Sequence, residues 1–228
     1  MIWKKDNNLT YAAVVPAAGL SSRMGSFKPL LDLNGKPLIC RTLDSLRAGG
    51  AERIVVVTGH RAEELEAAVA APDICFVRNQ DYAHTGMFES VKIGLSELGI
   101  AGREAKNDRD EMTIAAHSSP FFSYHIFILP GDIPLVSPGT MQSLKTAASN
   151  GAAIVRPSYQ GKAGHPVLLS SSAAQELLQY KGPEGLRGFL KDHLSETVFV
   201  EADDPAILMD ADTPEDYMTL YSLREAAQ

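Results

Sequence analysis

The sequence contains only two cysteines, Cys40 and Cys75, among 228 residues. Two thiols cannot form a disulfide scaffold, and neither has the spacing of a zinc site. Long hydrophobic runs are also missing, because the apolar stretch 11–20 is too short to span a bilayer and contains Pro16 and Gly19. We therefore expect a cytoplasmic protein with no membrane partner.

Positive charge is in deficit, since 21 Lys and Arg against 28 Asp and Glu give a formal charge of −7. This balance argues against the broad basic surface that binds duplex nucleic acid. An anionic ligand must then be bound by a local site. Hydrophobic residues at 45% and charged residues at 21% are typical of a globular protein.

Apolar runs alternate with amphipathic stretches, which predicts strand–helix–strand units and a mainly parallel sheet. The predicted strands cover residues 11–17, 53–58, 74–77, 125–130, 152–157, 166–169, 197–200 and 207–209. The predicted helices cover residues 39–48, 63–70, 87–98, 141–148, 172–180 and 184–193, and a last helix starts at Thr213-Pro214. Residues 99–123 interrupt this pattern with mixed charges and no periodicity, which is typical of a mobile surface insertion.

The first predicted strand runs into a loop of small residues, glycines and cations, AAGLSSRMGSFK, at positions 17–28. Ligands bind at the carboxyl ends of strands in open parallel sheets. Gly19 and Gly25 allow backbone N–H groups to converge on an anion, while Arg23 and Lys28 supply charge to phosphate oxygens. We predict a phosphate site, with a solvated turn as the alternative.

The common phosphate motifs do not fit this loop. Walker A requires lysine directly after its second glycine, and here Ser26 and Phe27 precede Lys28. The pattern G-x-G-x-x-G is also absent. Both observations argue against P-loop NTPases and dinucleotide oxidoreductases.

The same loop resembles the signature of the MobA-like nucleotidyltransferases, which combine small-small-Gly with a later Arg-Met-Gly and Lys. Further similar segments follow in the family's order: VTGH, NQDYAHTGMFESVKIGL, LPGDIP, GHPVLLS and MDADTPEDY. The resemblance covers most of the chain except residues 1–10 and 99–123. Within the family, the Ala-Ala-Gly loop and Gly-His-Pro are similar to the molybdenum cofactor cytidylyltransferases rather than to guanylyl-type members, whose loop reads Leu-Ala-Gly-Gly.

The resemblance implies one Rossmann-like α/β nucleotidyltransferase domain over residues 1–228, with helices flanking a mainly parallel sheet and a small antiparallel edge. Residues 1–10 are then an N-terminal extension. The implied reaction transfers CMP from CTP to the phosphate of molybdopterin and releases pyrophosphate. A molybdoenzyme that accepts the product is an implied partner.

Such a reaction needs a divalent ion, and Mg²⁺ is commonly held by one or two carboxylates together with phosphate oxygens. Asp132 follows the fourth predicted strand directly and is a candidate ligand, although a turn aspartate is the alternative. Asp210 and Asp212 are further candidates that the resemblance indicates, with a helix-capping role as the alternative. We predict that Arg23, Lys28 and Asp132 are catalytic.

The remaining predicted contacts divide between nucleotide and acceptor. The predicted nucleotide contacts are Ala17, Ala18, Gly19, Leu20, Ser22, Gly25, Thr58, Asn79, Gly86 and Ser90. For the last four, a turn or cap is the competing interpretation. The resemblance places His165 and Arg187 on the acceptor side, with a structural histidine and a solvated cation as alternatives.

Three alternatives remain open at this point. The nucleotide is GTP, the acceptor is a sugar or polyol phosphate, or the protein is a non-catalytic nucleotide or cofactor carrier. The Ala18 methyl group favours a smaller pyrimidine base over guanine, because it would crowd a base that rests on the backbone.

Overall fold

The computed structural model describes residues 10–20, 26–100 and 124–226. Within them lie strands β1 (Thr10–Pro16), β2 (Ala51–Thr58), β3 (Ile74–Arg78), β4 (Tyr124–Ile128), β5 (Ile154–Tyr159), β6 (Lys162–Ala163), β7 (Val167–Ser170) and β8 (Thr197–Glu201). The helices are α1 (Leu38–Ala48), α2 (Ala62–Val69), α3 (Met87–Glu97), α4 (Pro138–Ser149), α5 (Ser171–Gln179), α6 (Gly185–Asp192) and α7 (Pro214–Ala226). No helix in these ranges has both the length and the apolar character required to cross a membrane.

The strands form one sheet in the order β3-β2-β1-β4-β7-β5-β6, and β8 pairs with β5. The pairs β3–β2, β2–β1 and β1–β4 are parallel, as is β5–β8. Strand β7 pairs with both β4 and β5 and therefore lies inside the sheet, and it runs antiparallel to each of them. The predicted α/β class with a mainly parallel sheet is confirmed.

Two apolar clusters cover the two faces of the sheet. Alternate residues of β1 point to opposite faces, as the period of a strand requires. Val15 packs with α1 and α4 residues on one face, whereas Val14 packs with α3, α5 and α6 residues on the other. This double burial explains why the central strands read as continuous apolar runs. The parallel pairing of β1 with β2 and β4, and of β2 with β3, places the carboxyl ends of these four strands at one edge of the sheet.

The predicted strand at residues 207–209 is wrong. Residues Pro205–Leu208 form a 3₁₀ turn instead. Pro205 occupies the first turn of this helix, where its missing N–H is not needed, and the Asp204 carboxylate accepts the Ala206 N–H at 3.2 Å. Ile207 is fully buried in the core, so its apolar character reflects packing rather than strand pairing.

The start of α7 is as predicted. The Thr213 backbone N–H donates to Asp216 Oδ2 at 2.9 Å, and the Asp216 N–H donates to Thr213 Oγ1 at 3.2 Å. This reciprocal pair is a capping box with aspartate in the third helical position. It fixes the chain direction immediately after Asp212.

Some predicted features lie outside the described residues. They include residues 1–9 of the predicted N-terminal extension, whose last residue, Thr10, begins β1, most of the predicted insertion, and Ser22, Arg23 and Gly25 of the loop. Of the insertion, Gly99 and Ile100 are described, and Ile100 is buried against the cluster around α3. Cys40 and Cys75 are free thiols that are partly buried beside the core.

Candidate active site

The turn after β1 is held against the neighbouring strand. The Ala17 N–H donates to the Val57 carbonyl at 2.9 Å, and the His60 N–H donates to the Ala18 carbonyl at 3.2 Å. A Cβ on Gly59 would lie 2.8 Å from the Ala18 oxygen, so glycine is required for this approach. Ala17 and Ala18 are consequently fixed at the sheet edge.

The first cavity, of roughly 190 Å³, opens at this edge. Eight of the predicted site residues line it: Ala17, Ala18, Gly19, Lys28, Asn79, Gly86, Ser90 and Asp132. They come from the ends of β1, β3 and β4, from the start of α3 and, for Lys28, from the 3₁₀ turn Lys28–Leu30. Segments far apart in sequence therefore meet where parallel strands end, as the open-sheet rule predicts.

Lys28 and Asp132 both line this cavity and form an ion pair. Lys28 Nζ lies 3.9 Å from Asp132 Oδ2, and it also donates a hydrogen bond to Asp212. The lysine side chain is only 11% exposed. A Cβ on Gly131 would lie 2.8 Å from Ile39 Cδ1, so close packing fixes the backbone directly before Asp132.

The acidic groups at this site perturb one another. Burial raises the pKa of Asp132, Lys28 lowers it, and the charge of Asp210 raises it further. Burial and then the neighbouring Asp212 raise the pKa of Asp210. A cation among these carboxylates would relieve their repulsion and favour their ionised forms.

The donor set fits a magnesium ion that is shared with substrate. Asp132 and Asp210 supply carboxylate oxygens, which are the ligands that Mg²⁺ prefers. The described ranges contain no cluster of three or more His, Cys, Asp or Glu side chains that could hold a metal. Two carboxylates with phosphate oxygens is a common way for proteins to hold Mg²⁺ together with a nucleotide.

A second cavity, of roughly 340 Å³, adjoins the first. Asp132, Met87 and Pro130 line both cavities. The predicted residues His165, Asp210 and Asp212 line the second one. Asp132 thus stands where the two spaces meet.

The structure also identifies residues that the sequence analysis missed. Tyr82 and Thr85 line the first cavity, and Arg156 lines the second. The buried Asn79 side chain donates to Thr85 Oγ1 at 2.9 Å and to Ser90 Oγ at 3.1 Å. This network fixes the cavity wall between β3 and α3.

Three predicted contacts lie outside both cavities. Thr58 is fully buried and donates to Glu66 Oε1 at 2.9 Å, which is a structural role. Leu20 is 48% exposed. The Arg187 side chain is 88% exposed and lies 3.7 Å from Glu184 on the surface of α6. A solvated helix cation, the alternative considered for Arg187, describes this placement.

A largely buried lysine beside carboxylates lies at the carboxyl edge of the parallel strands, where open α/β sheets bind their ligands. The lysine charge suits a phosphate group, and the carboxylates suit a divalent ion. The fold and the site therefore define an α/β protein with a site for a phosphorylated ligand at this edge.

The MobA-like NTP transferase domain model matches residues 13–198. The chain therefore belongs to this family, and it is a nucleotidyltransferase. The molybdenum cofactor cytidylyltransferase of Escherichia coli K12 is 28% identical over 209 residues, or 90% of this chain and 93% of that protein. The bifunctional protein GlmU of Burkholderia mallei is 34% identical over 139 residues, which covers 60% of this chain but only 25% of GlmU.

Solved structures share the fold. A nucleotidyl transferase from Methanothermobacter superposes with a TM-score of 0.73 and 25% identity over 96% of this chain and 99% of that one. A 4-diphosphocytidyl-2C-methyl-D-erythritol synthase from Anaerococcus prevotii has a TM-score of 0.67 at 13% identity, covering 95% and 96%. The Mycobacterium tuberculosis protein Rv0371C, solved with manganese, has a TM-score of 0.68 at 23% identity, covering 93% and 98%.

Proposed function

We propose that this enzyme transfers CMP from CTP to the phosphate of molybdopterin and releases pyrophosphate. The observation that carries the proposal is the position of Lys28 opposite Asp132, 3.9 Å apart, in a cavity lined by the turn after β1. The E. coli cytidylyltransferase, similar over 90% of the chain, supports this choice of substrates. The two partly buried free thiols suit a cytoplasmic enzyme.

The reaction needs no general base on the protein. An oxygen of the acceptor phosphate donates an electron pair to the α-phosphorus of CTP, and a new P–O bond forms. The α–β anhydride bond breaks, and its electron pair leaves on the pyrophosphate oxygen. The second pKa of a phosphate monoester is near 6, so the attacking oxygen is already anionic at neutral pH.

The protein contributes charge and alignment. Lys28 is placed to bind the departing pyrophosphate, and Arg23, in the loop ahead of it, is proposed to share this role. Ala17, Ala18 and Gly19 keep the backbone close to the phosphates. The same proposal includes contacts of Ser22 and Gly25 with the nucleotide, as predicted from the sequence.

The residues that would hold magnesium are Asp132 and Asp210 or Asp212, because they supply carboxylate oxygens beside the nucleotide cavity. When bound, the ion would balance the negative charge on the α-phosphate. Manganese in the structurally similar M. tuberculosis protein supports a divalent ion here.

The assay that tests this function measures pyrophosphate release with CTP or GTP, magnesium and molybdenum cofactor. We expect turnover that requires all three components and prefers CTP, since the buried Ala18 lines the cavity and its methyl group would crowd a larger base that rests on the backbone. A clear preference for GTP would overturn the choice of nucleotide. A carrier would bind the nucleotide without releasing pyrophosphate.

Variants test the site itself. We expect Lys28→Ala and Asp132→Ala each to lower kcat/KM by about 10³-fold or more, since each removes a charge that acts on the transferring phosphate. Lys36→Ala and Asp44→Ala are matched controls, because they break an ion pair of the same type on the exposed surface. Near-normal rates in both Lys28 and Asp132 variants would remove this mechanism.

A further inference from the structure

The second cavity is lined by a partly buried cation, Arg156. Arg156 lies on β5, and its Nη2 donates to the Gly164 carbonyl at 3.4 Å, a long hydrogen bond. Its Nε is buried and has no hydrogen-bond partner among the described residues. Burial lowers the pKa of Arg156. A guanidinium that is desolvated in this way gains most from an anionic ligand.

His165 presents a second unsatisfied group in the same cavity. The backbone of Ile128 accepts a hydrogen bond from its ring, while Nδ1 is buried without a partner. The proton therefore belongs on Nε2, and Nδ1 carries a lone pair. Burial, with a smaller effect of Arg156, lowers the pKa of His165 to about 4. The ring is consequently neutral at physiological pH and can accept a hydrogen bond.

The backbone holds these two groups in place. The His165 N–H donates to the Ile207 carbonyl at 2.9 Å. A Cβ on Gly164 would lie 2.5 Å from the same oxygen, so only glycine allows the chain to approach this closely. Arg156 and His165 are thus preorganised on a rigid wall of the cavity. Arg156 is a cationic hydrogen-bond donor, which suits an anion, and His165 is a neutral hydrogen-bond acceptor.

The position of this pair relates it to the reaction. Arg156 and His165 line the second cavity and not the first, and Asp132 lines both. A molecule in the second cavity therefore contacts Asp132 without contacting the turn after β1. If the first cavity holds the triphosphate, the second is the adjoining space that an acceptor can occupy.

We propose that Arg156 binds the phosphate of the acceptor and that His165 Nδ1 accepts a hydrogen bond from an N–H or O–H group of the same molecule. This inference rests on the proposed function and narrows it. The acceptor is a phosphate monoester with a hydrogen-bond donor near its phosphate. Arg156 binds oxygens that do not attack, so that the attacking oxygen remains directed at the α-phosphorus.

Steady-state kinetics with CTP and molybdenum cofactor test the role of Arg156. We expect Arg156→Gln to raise the KM for the acceptor by about 10- to 100-fold, as for loss of a charged hydrogen bond. The Kd of CTP, measured by calorimetry without acceptor, should stay within twofold. Lys162→Gln is the matched control, because it removes the same charge from the exposed strand β6 of the same hairpin. Arg156→Lys should give an intermediate KM.

His165 is tested in the same assay. His165→Phe should raise the acceptor KM by about 5- to 10-fold, and His165→Gln, which keeps an accepting oxygen, should recover most of that loss. An acceptor KM within twofold of wild type for Arg156→Gln would overturn the proposal. A parallel weakening of CTP binding in that variant would overturn it equally.

A second measurement separates this inference from the proposed function. Inorganic phosphate is titrated into protein saturated with magnesium and CTP, and its ³¹P line width is followed. Wild-type protein and Lys162→Gln should broaden the phosphate signal, whereas Arg156→Gln should not. Equal broadening in all three overturns the acceptor subsite. Absence of transfer to molybdopterin, with this phosphate difference intact, would instead overturn the choice of acceptor.

Discussion

The buried neutral His165 makes the stability of this protein depend on pH. Its pKa is about 4 in the folded protein, against an ordinary value of 6.5. Between these two values the unfolded chain binds a proton that the folded protein does not, so stability falls as the pH falls. The stabilisation is fully present above pH 6.5 and is lost progressively towards pH 4.

The size of the effect follows from the two pKa values. A drop from 6.5 to about 4 corresponds to about 3 kcal/mol of unfolding free energy once the pH is below both. At pH 5, where only the unfolded chain is protonated, about 2 kcal/mol of this is already lost. Burial also lowers the pKa of His125. This histidine therefore also reduces the free energy of unfolding as the pH falls, and it does so equally in wild type and in the His165 and His84 variants.

Urea unfolding of wild type and His165→Gln at pH 7.5 and pH 5.0 isolates the contribution of this residue. We expect the difference in unfolding free energy between the two pH values to be smaller by about 2 kcal/mol in His165→Gln. His84→Gln serves as the control, because the His84 side chain is 81% exposed and pairs only locally with Asp81. Equal pH dependence in His165→Gln and wild type would refute the account of a buried, neutral histidine.

Two further predictions concern the backbone around the site. Gly131→Ala should destabilise the protein by about 1–3 kcal/mol and reduce activity, since its Cβ would press on Ile39 beside Asp132. Gly139→Ala, whose Cβ meets nothing closer than 3.8 Å, should be neutral or stabilising; urea unfolding that ranks the two alike would contradict this. Thr213→Ala should cost about 1 kcal/mol through loss of the capping box, measured by thermal unfolding. Thr219→Ala, on the exposed face of α7, should leave the stability unchanged. An unchanged Tm in Thr213→Ala would argue against the cap.

Local patterns were sufficient to predict most of the fold. Apolar runs such as the one in β1 are buried on both faces, and this burial produces the signal that predicts a parallel strand. The strand predicted at residues 207–209 was wrong because burial alone does not specify pairing. Asp204 and Pro205 start a 3₁₀ turn there, and that competing signal stood immediately before the apolar residues.

The site was predictable where its residues lie in the segments that follow strands. Asp132 lies shortly after β4, and Lys28 belongs to the longer segment that follows β1, the neighbour of β4 in the sheet. Arg156 was not predicted as a site residue, since a cation within a strand usually faces solvent. Whether such a side chain faces water or a cavity depends on tertiary packing, and the same limit applies to the surface position of Arg187.

A crystal structure of the protein with CTP and magnesium would test the central claim most directly. The account predicts that the triphosphate lies in the first cavity beside Lys28, with an ion bound by Asp132. The second cavity, around Arg156, should stay open for the acceptor. A nucleotide bound elsewhere, or one whose phosphates avoid Lys28 and Asp132, would contradict the account.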